Sequence, residues 1–241
     1  MIVVLDEIAR LQRRFAEEFQ RQASDLIARR DRFIVALPGG SVASTFFPTL
    51  TDLAVDWSRV DLFWIDERAV PPEHADSNYA LASRLFLTRA RVPAARVHRM
   101  LGELPDLDQA ARRASDELRS VAGDPPRLDL ALVGVGDDGH IASLFPSRPG
   151  TRAGSPAEGG RSGADEPVIA VHDAPKPPAR RLTLTLPVLA GARRVIVGAF
   201  GRSKAAAMRR AFTESDATPI AELLRRARSV LVLLDREAGL S

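Results

Sequence analysis

The sequence predicts an α/β protein, with a mainly parallel central sheet and helices on both faces. Three observations predict it. Strand-like and helix-like segments alternate along all 241 residues, which is the pattern of strands linked by helical crossovers. Two runs, Phe33–Leu37 and Leu130–Val135, read as strands, and the second is apolar at nearly every position, as expected of a strand covered on both faces. Both runs end in glycine-rich turns, where open α/β sheets place their ligands.

The elements follow in order. Ala9, Leu11, Phe15, Phe19, Ala23, Leu26 and Ile27 recur at helical spacing, so residues 6 to 30 read as one amphipathic helix. The strand Phe33–Leu37 stops at Pro38-Gly39-Gly40, and Ser41 is placed to cap a helix from Val42 to Leu53. Asp61–Ile65 repeats the strand, followed by a helix from Ser77 to Ala90 with Ser77 as its cap. A short strand at Val97–Met100 and a polar helix at Leu107–Val121 precede the strand that opens at Leu128. Strands are then expected at Val168–Val171, Leu182–Leu186, Arg194–Ala199 and Ser229–Leu234, with helices at Arg202–Phe212 and Pro219–Ala227. Residues 147–167 are rich in Gly, Ser, Pro and Ala without apolar periodicity, and read as a surface loop, either a lid or a disordered insertion. The whole chain, 1–241, is expected to form one domain around that loop, with room for a small accessory lobe.

Composition narrows the function classes. The formal charge is only +3, and basic pairs such as Arg29–Arg30, Arg112–Arg113 and Arg225–Arg226 lie on helix faces or ends without interleaved aromatics. No nucleic-acid partner is expected. Cysteine is absent, which excludes disulfides and thiolate chemistry and fits a reducing cytoplasm. No apolar stretch approaches the roughly 20 residues of a membrane span, and the N-terminal residues lack the pattern of an export signal, so a cytoplasmic protein without a membrane partner is expected. Oligomeric state stays open between monomer and weak dimer.

Three segments carry chemistry. In Leu128–Pro146, the small residues Gly134, Gly136 and Gly139 let the backbone approach a ligand, and His140 follows just past the strand end. In Ala36–Phe46, Gly39, Gly40 and Ser41 open a helix, whose unpaired N–H groups and partial positive charge suit a phosphate. This loop is neither a Walker loop nor a GxGxxG fingerprint. In Asp61–Ala80, Asp66, Glu67 and Arg68 close an apolar strand, bringing Asp66 and Arg68 to the same rim. No His, Asp or Glu spacing resembles a ligand motif such as HExxH, so neither a metal nor a cofactor is expected.

Taken together, LPGGS at 37–41, WIDERAVPPEHADSN at 64–78, GVGDDGHIASLFP at 134–146, KPPARRLTLTLPVL at 176–189 and GRSKA at 201–205 resemble the 6-phosphogluconolactonase family, related to glucosamine-6-phosphate deaminases and isomerases. The resemblance spans nearly the whole chain. It implies a Rossmann-like fold of the sugar-phosphate isomerase kind and metal-free hydrolysis of 6-phosphoglucono-1,5-lactone in the pentose phosphate pathway. His140 matches the histidine that activates water. Asp66 or Asp138 would orient it, and oxyanion donors would come from the Gly134–Gly139 turn or from Arg68. For the phosphate, the resemblance implies Gly39, Gly40, Ser41 and Lys204, with Arg181 or its neighbour Arg180. His74 would line the rim, whereas His98 and His172 read as structural.

Two rival readings are weighed against this one. In the deaminase branch the histidine turn continues HIAFNEP, with a glutamate that helps to open the sugar ring; here the turn reads HIASLFP, with Phe145 where the acid would stand. A lactone is already an activated acyl group, so loss of that carboxylate suits hydrolysis. A non-catalytic sugar-phosphate sensor would have lost its base, yet His140, Asp66 and Arg68 are all present.

Overall fold

The computed structural model describes residues 1–146, 166–213 and 215–239. The expected loop at 147–167 lies outside the described residues except for Glu166 and Pro167. The chain begins with β1 (Ile2–Asp6), α1 (Ile8–Arg30), β2 (Phe33–Leu37), α2 (Gly40–Leu50) and β3 (Val60–Trp64). Next come β4 (Asp66–Arg68) and α3 (Asn78–Ala82), which continues as a wider π-type turn over Ser83–Leu87. After α4 (Leu107–Ala122) follow β5 (Leu130–Gly134), β6 (Val168–Val171), β7 (Arg181–Leu184), α5 (Leu186–Gly191), β8 (Arg194–Ala199), α6 (Arg202–Ala211), α7 (Pro219–Arg226), β9 (Val230–Asp235) and α8 (Arg236–Gly239).

Six strands form the central sheet in the order β1-β9-β8-β5-β2-β3, and every pairing in it is parallel. The accessory element is a second sheet, β4-β7-β6, which is antiparallel. Two apolar clusters cover the main sheet. One gathers Phe15, Phe19, Phe46, Phe47 and Phe86 from α1, α2 and the turn after α3, with the Phe15 and Phe46 rings stacked at 4.4 Å. The other joins Leu118, Leu189 and Leu223 of α4, α5 and α7 to Leu182 and Leu184 of β7, so the small sheet shares this core. Covering both faces explains why β2 and β5 are apolar throughout.

The structure corrects four expectations. The first apolar residues form β1, an edge strand paired with β9, rather than leading straight into a helix. The β-branched run Ile2-Val3-Val4 favours that extended pairing. Val97–Met100 is no strand: Val97 makes a single bridge to Leu62, and the chain then turns away as His98 docks on Asp61 and Glu117. The LTLTLP segment gives only three strand residues, Leu182–Leu184, which with Arg181 make β7, because Leu186 and Pro187 already start α5. Ser41 does not cap its helix. The left-handed backbone of Gly40 (φ 65°) makes the turn, Gly39 occupies the cap position, and Ser41 sits exposed inside the first turn.

Candidate active site

Strand order fixes where the site lies. From β2 the chain crosses to β3 on one side, whereas β5 is followed in the sheet by β8 and β9 on the other. The two inner strands therefore meet at a switch point, where crossovers diverge and open a crevice at the carboxyl ends. A cleft of about 180 Å³ lies there, lined by Gly39, Gly40 and Ser41 after β2, Asp66 and Arg68 of β4, Gly134 at the end of β5, Gly136 and His140 after it, Arg181 of β7 and Lys204 of α6. Glycine lets α2 approach the sheet: a Cβ on Gly134 or Gly198 would come within 3.3 or 3.1 Å of Val42. All the expected site residues except Asp138 line this cleft, and Asp138 stands directly behind His140.

The histidine turn is tied by its own backbone. Gly136 N–H donates to the His140 carbonyl (2.8 Å), Gly139 N–H to the Gly136 carbonyl (3.1 Å), and Ile220 N–H of α7 to the Gly139 carbonyl (3.2 Å). Asp138 Oδ1 accepts the His140 backbone N–H at 3.1 Å and lies 2.5 Å from Nδ1 of the same residue. An ionised carboxylate can only accept, so Nδ1 carries the hydrogen and Nε2 presents a lone pair. Among the described residues Nε2 has no hydrogen-bond partner. Burial depresses the imidazole below its ordinary pKa, and the opposing Asp138 interactions do not reverse this. Burial would raise Asp138, but hydrogen bonds from His140 hold it below the usual carboxylate range.

The geometry separates the two aspartates. Asp138 faces the imidazole, while Asp66 is engaged elsewhere: its Oδ2 accepts from Ser143 Oγ at 2.7 Å and its Oδ1 from Asn78 Nδ2 at 3.1 Å. Arg181 rather than Arg180 reaches the cleft; Arg180 is exposed and donates to the Pro105 carbonyl. Arg181 does not offer the open bidentate fork that a phosphate grip requires. Its Nε bonds the Pro178 carbonyl (2.8 Å), its Nη2 the Lys176 and Pro177 carbonyls (2.8 and 3.3 Å), and its Nη1 approaches Ser143 Oγ (3.4 Å). It brings positive charge to the cleft while fastening the loop before β7. Arg68 Nη1 donates to the Asp76 carbonyl (2.7 Å), and its buried Nε has no partner among the described residues.

Several residues acquire roles that the sequence did not reveal. Glu67 is buried, and its carboxylate accepts from Arg68 N, Asn78 N, Tyr79 N and Ser77 Oγ at 2.7–3.0 Å. Burial pushes its pKa up against those four donors. Glu67 thus supplements the expected Ser77 cap, which accepts from Ala80 N at 3.1 Å. Asn78 in turn holds Asp66 and lies beneath Gly39, where a Cβ would fall 1.8 Å from Asn78 Oδ1. Lys176 pairs with Asp137, next to the Asp138–His140 pair in sequence. The segments WIDERAVPPEHADSN and KPPARR contain these residues, but nothing in local spacing shows which would meet.

The remaining histidines differ in setting. His98 lies between Asp61 and Glu117 and stacks on Phe63, a structural position as expected. His172 pairs with Asp108 on the surface, and His74 receives the Asp76 N–H outside the cleft lining. Asp137, Asp138 and His140 bring one donor atom each within 4.8 Å. Lys176 occupies Asp137, and Asp138 and His140 bond each other, so the donors serve an orienting pair better than a cation.

A family profile described as glucosamine-6-phosphate isomerases/6-phosphogluconolactonase matches residues 6–232. The chain belongs to this family. It is 37% identical over 224 residues to a 6-phosphogluconolactonase of Mycobacterium tuberculosis, with 88% of this chain and 86% of the relative covered. The solved 6-phosphogluconolactonase of Thermotoga maritima superposes with a TM-score of 0.81 at 24% identity, covering 97% of this chain and 98% of that one. A monomeric glucosamine-6-phosphate deaminase superposes nearly as well, with a TM-score of 0.78 at 21% identity, covering 99% of each chain. The family description itself names both activities, so fold alone does not separate them.

Proposed function

We propose that the chain hydrolyses 6-phospho-D-glucono-1,5-lactone to 6-phospho-D-gluconate, with His140 activating the water that attacks the lactone carbonyl. The observation that carries this reading is the His140 imidazole, fixed at Nδ1 by Asp138 and, among the described residues, left with a free Nε2 at a cleft that is also lined by a glycine-rich helix start. Nε2 takes a proton from water as the oxygen bonds to the carbonyl carbon. The carbonyl electrons move onto oxygen, and Arg68, with an unused N–H, stabilises the oxyanion. Two of the turn amides, Gly136 and Gly139, are already spent within the turn, which favours Arg68 over the backbone. Collapse breaks the bond to the ring oxygen, which receives the proton from His140, and the new acid releases a proton to solvent. No metal ion is needed, because the lactone is already an activated acyl group.

The phosphate is held by the first N–H groups of α2, the Ser41 hydroxyl and Lys204. Arg181 contributes charge from behind rather than a bidentate grip. The 37%-identical lactonase and the Phe145 position both favour hydrolysis over isomerisation. The enzyme would serve the oxidative pentose phosphate route in the cytoplasm, and no helix among the described residues is long and apolar enough to cross a membrane.

Proton release on adding freshly generated lactone tests the activity. The expected result is acceleration far above the spontaneous rate, with His140→Ala lowering kcat by about 10²–10⁴-fold while 6-phosphogluconate still binds. Full activity in that variant would overturn the base assignment. Conversion of glucosamine-6-phosphate would point to the isomerase branch, and binding without turnover to a sensor.

A further inference from the structure

The mechanism leaves one aromatic side chain at the site unused. Phe145 packs its ring against the His140 imidazole, with centroids 4.7 Å apart and planes inclined by 38°. Its other neighbour is Arg181, whose guanidinium carbon lies 5.7 Å from the ring centre. Arg181 cannot swing toward His140, because the Lys176, Pro177 and Pro178 carbonyls hold it. The ring therefore touches both a fixed cation and the base, and covers one side of the imidazole.

We propose that Phe145 is a positioning residue for His140: by covering the imidazole it keeps the base neutral and aligned. The inference rests on His140 being the base. Asp138 at Nδ1 and Asp66 of β4 favour the protonated form and Lys176 from the loop before β7 opposes it, while Arg181, in contact with Phe145, and the cations Arg68 of β4 and Lys204 of α6 share the cleft lining. With the acids already present, exclusion of water is what keeps the imidazole depressed. A carboxylate in place of the ring would add a third anion and hold His140 protonated, which disables a general base.

The test compares wild type with Phe145→Ala, Phe145→Glu and Phe145→Tyr. His140 is titrated through its imidazole Cε1–H NMR signal, and kcat/KM for the lactone is measured across pH. The His140 titration should move upward in Phe145→Ala, further in Phe145→Glu, and little in Phe145→Tyr. The acid limb of kcat/KM should move with it, at about tenfold loss per pH unit below the limb, with 6-phosphogluconate affinity at alkaline pH preserved. An NMR titration that stays in place in both Phe145→Ala and Phe145→Glu would overturn the proposal. A titration that moves while the acid limb does not would support the role of Phe145 around His140 and instead sink the base assignment.

Discussion

At the scale of single residues, the site depends on atoms that are missing as much as on those present. Gly136 is the sharpest case: a Cβ there would lie 2.0 Å from His140 Nδ1 and 2.7 Å from Asp138 Oδ1. The imidazole would have to leave its aspartate. Gly136→Ala is therefore expected to lower kcat by about 10²-fold, as small misplacements of catalytic groups do, with circular dichroism and 6-phosphogluconate affinity nearly unchanged. Steady-state kinetics check this, and a loss under about tenfold would mean that the turn adapts. The sequence pointed to His140 and Ser41 as site candidates because a glycine turn at a strand end is a local pattern, whereas Lys204 entered only through the family resemblance. It did not tell Asp138 from Asp66 as the partner of His140, since that depends on Ser143 and Asn78 reaching Asp66 from distant segments.

Among the elements, α3 shows a tertiary contact completing a local signal. Ser77 caps it as expected, yet three orphan or turn N–H groups, those of Arg68, Asn78 and Tyr79, are satisfied by the buried Glu67. Glu67→Gln presents an amide NH₂ to those donors and should cost about 1–3 kcal/mol, read as a lower urea midpoint; an unchanged midpoint would remove Glu67 from this role. Between β3 and α4, His98 acts as a pH-dependent staple. Burial alone would depress its pKa, but its hydrogen bonds to Asp61 and Glu117 and their charges hold it above the ordinary value. Since the folded pKa exceeds the unfolded value of about 6.5, this stabilisation is complete below that pH and fades as pH rises through the folded pKa. His98→Gln should lose about 1.5–3 kcal/mol at pH 6 and a smaller amount at alkaline pH; equal losses at both would refute the staple. The missed strand β1 and the mistaken strand at Val97–Met100 have one cause. Short apolar runs do not state whether a pairing edge awaits them, and β9 offers one to β1 while Leu62 offers Val97 a single bridge.

For the molecule as a whole, the parallel sheet and its switch point gather loops from across the chain into one cleft, so a bound ligand should tie the fold together. 6-Phosphogluconate at a hundredfold excess over Kd should stabilise the protein by about 2.7 kcal/mol, seen as a higher Tm. In Lys204→Ala the same concentration should give a much smaller rise, because the cleft loses one of the cations that line it. An identical rise in both proteins would place the phosphate away from α6.

Local patterns along the chain were enough to read the α/β class, the order of most elements and the glycine turns that line the cleft. Periodicity, glycine turns and helix-start residues act over a few positions, and local physics reads them. Only the tertiary structure decided the six-strand order with its divergence between β2 and β5, and the separate antiparallel sheet that carries Asp66 and Arg181. It also decided which aspartate faces the base, how Arg181 is held, and that Phe145 lies against His140. Those outcomes are set by side chains far apart in the chain competing for the same partners, and no local window contains the competitors.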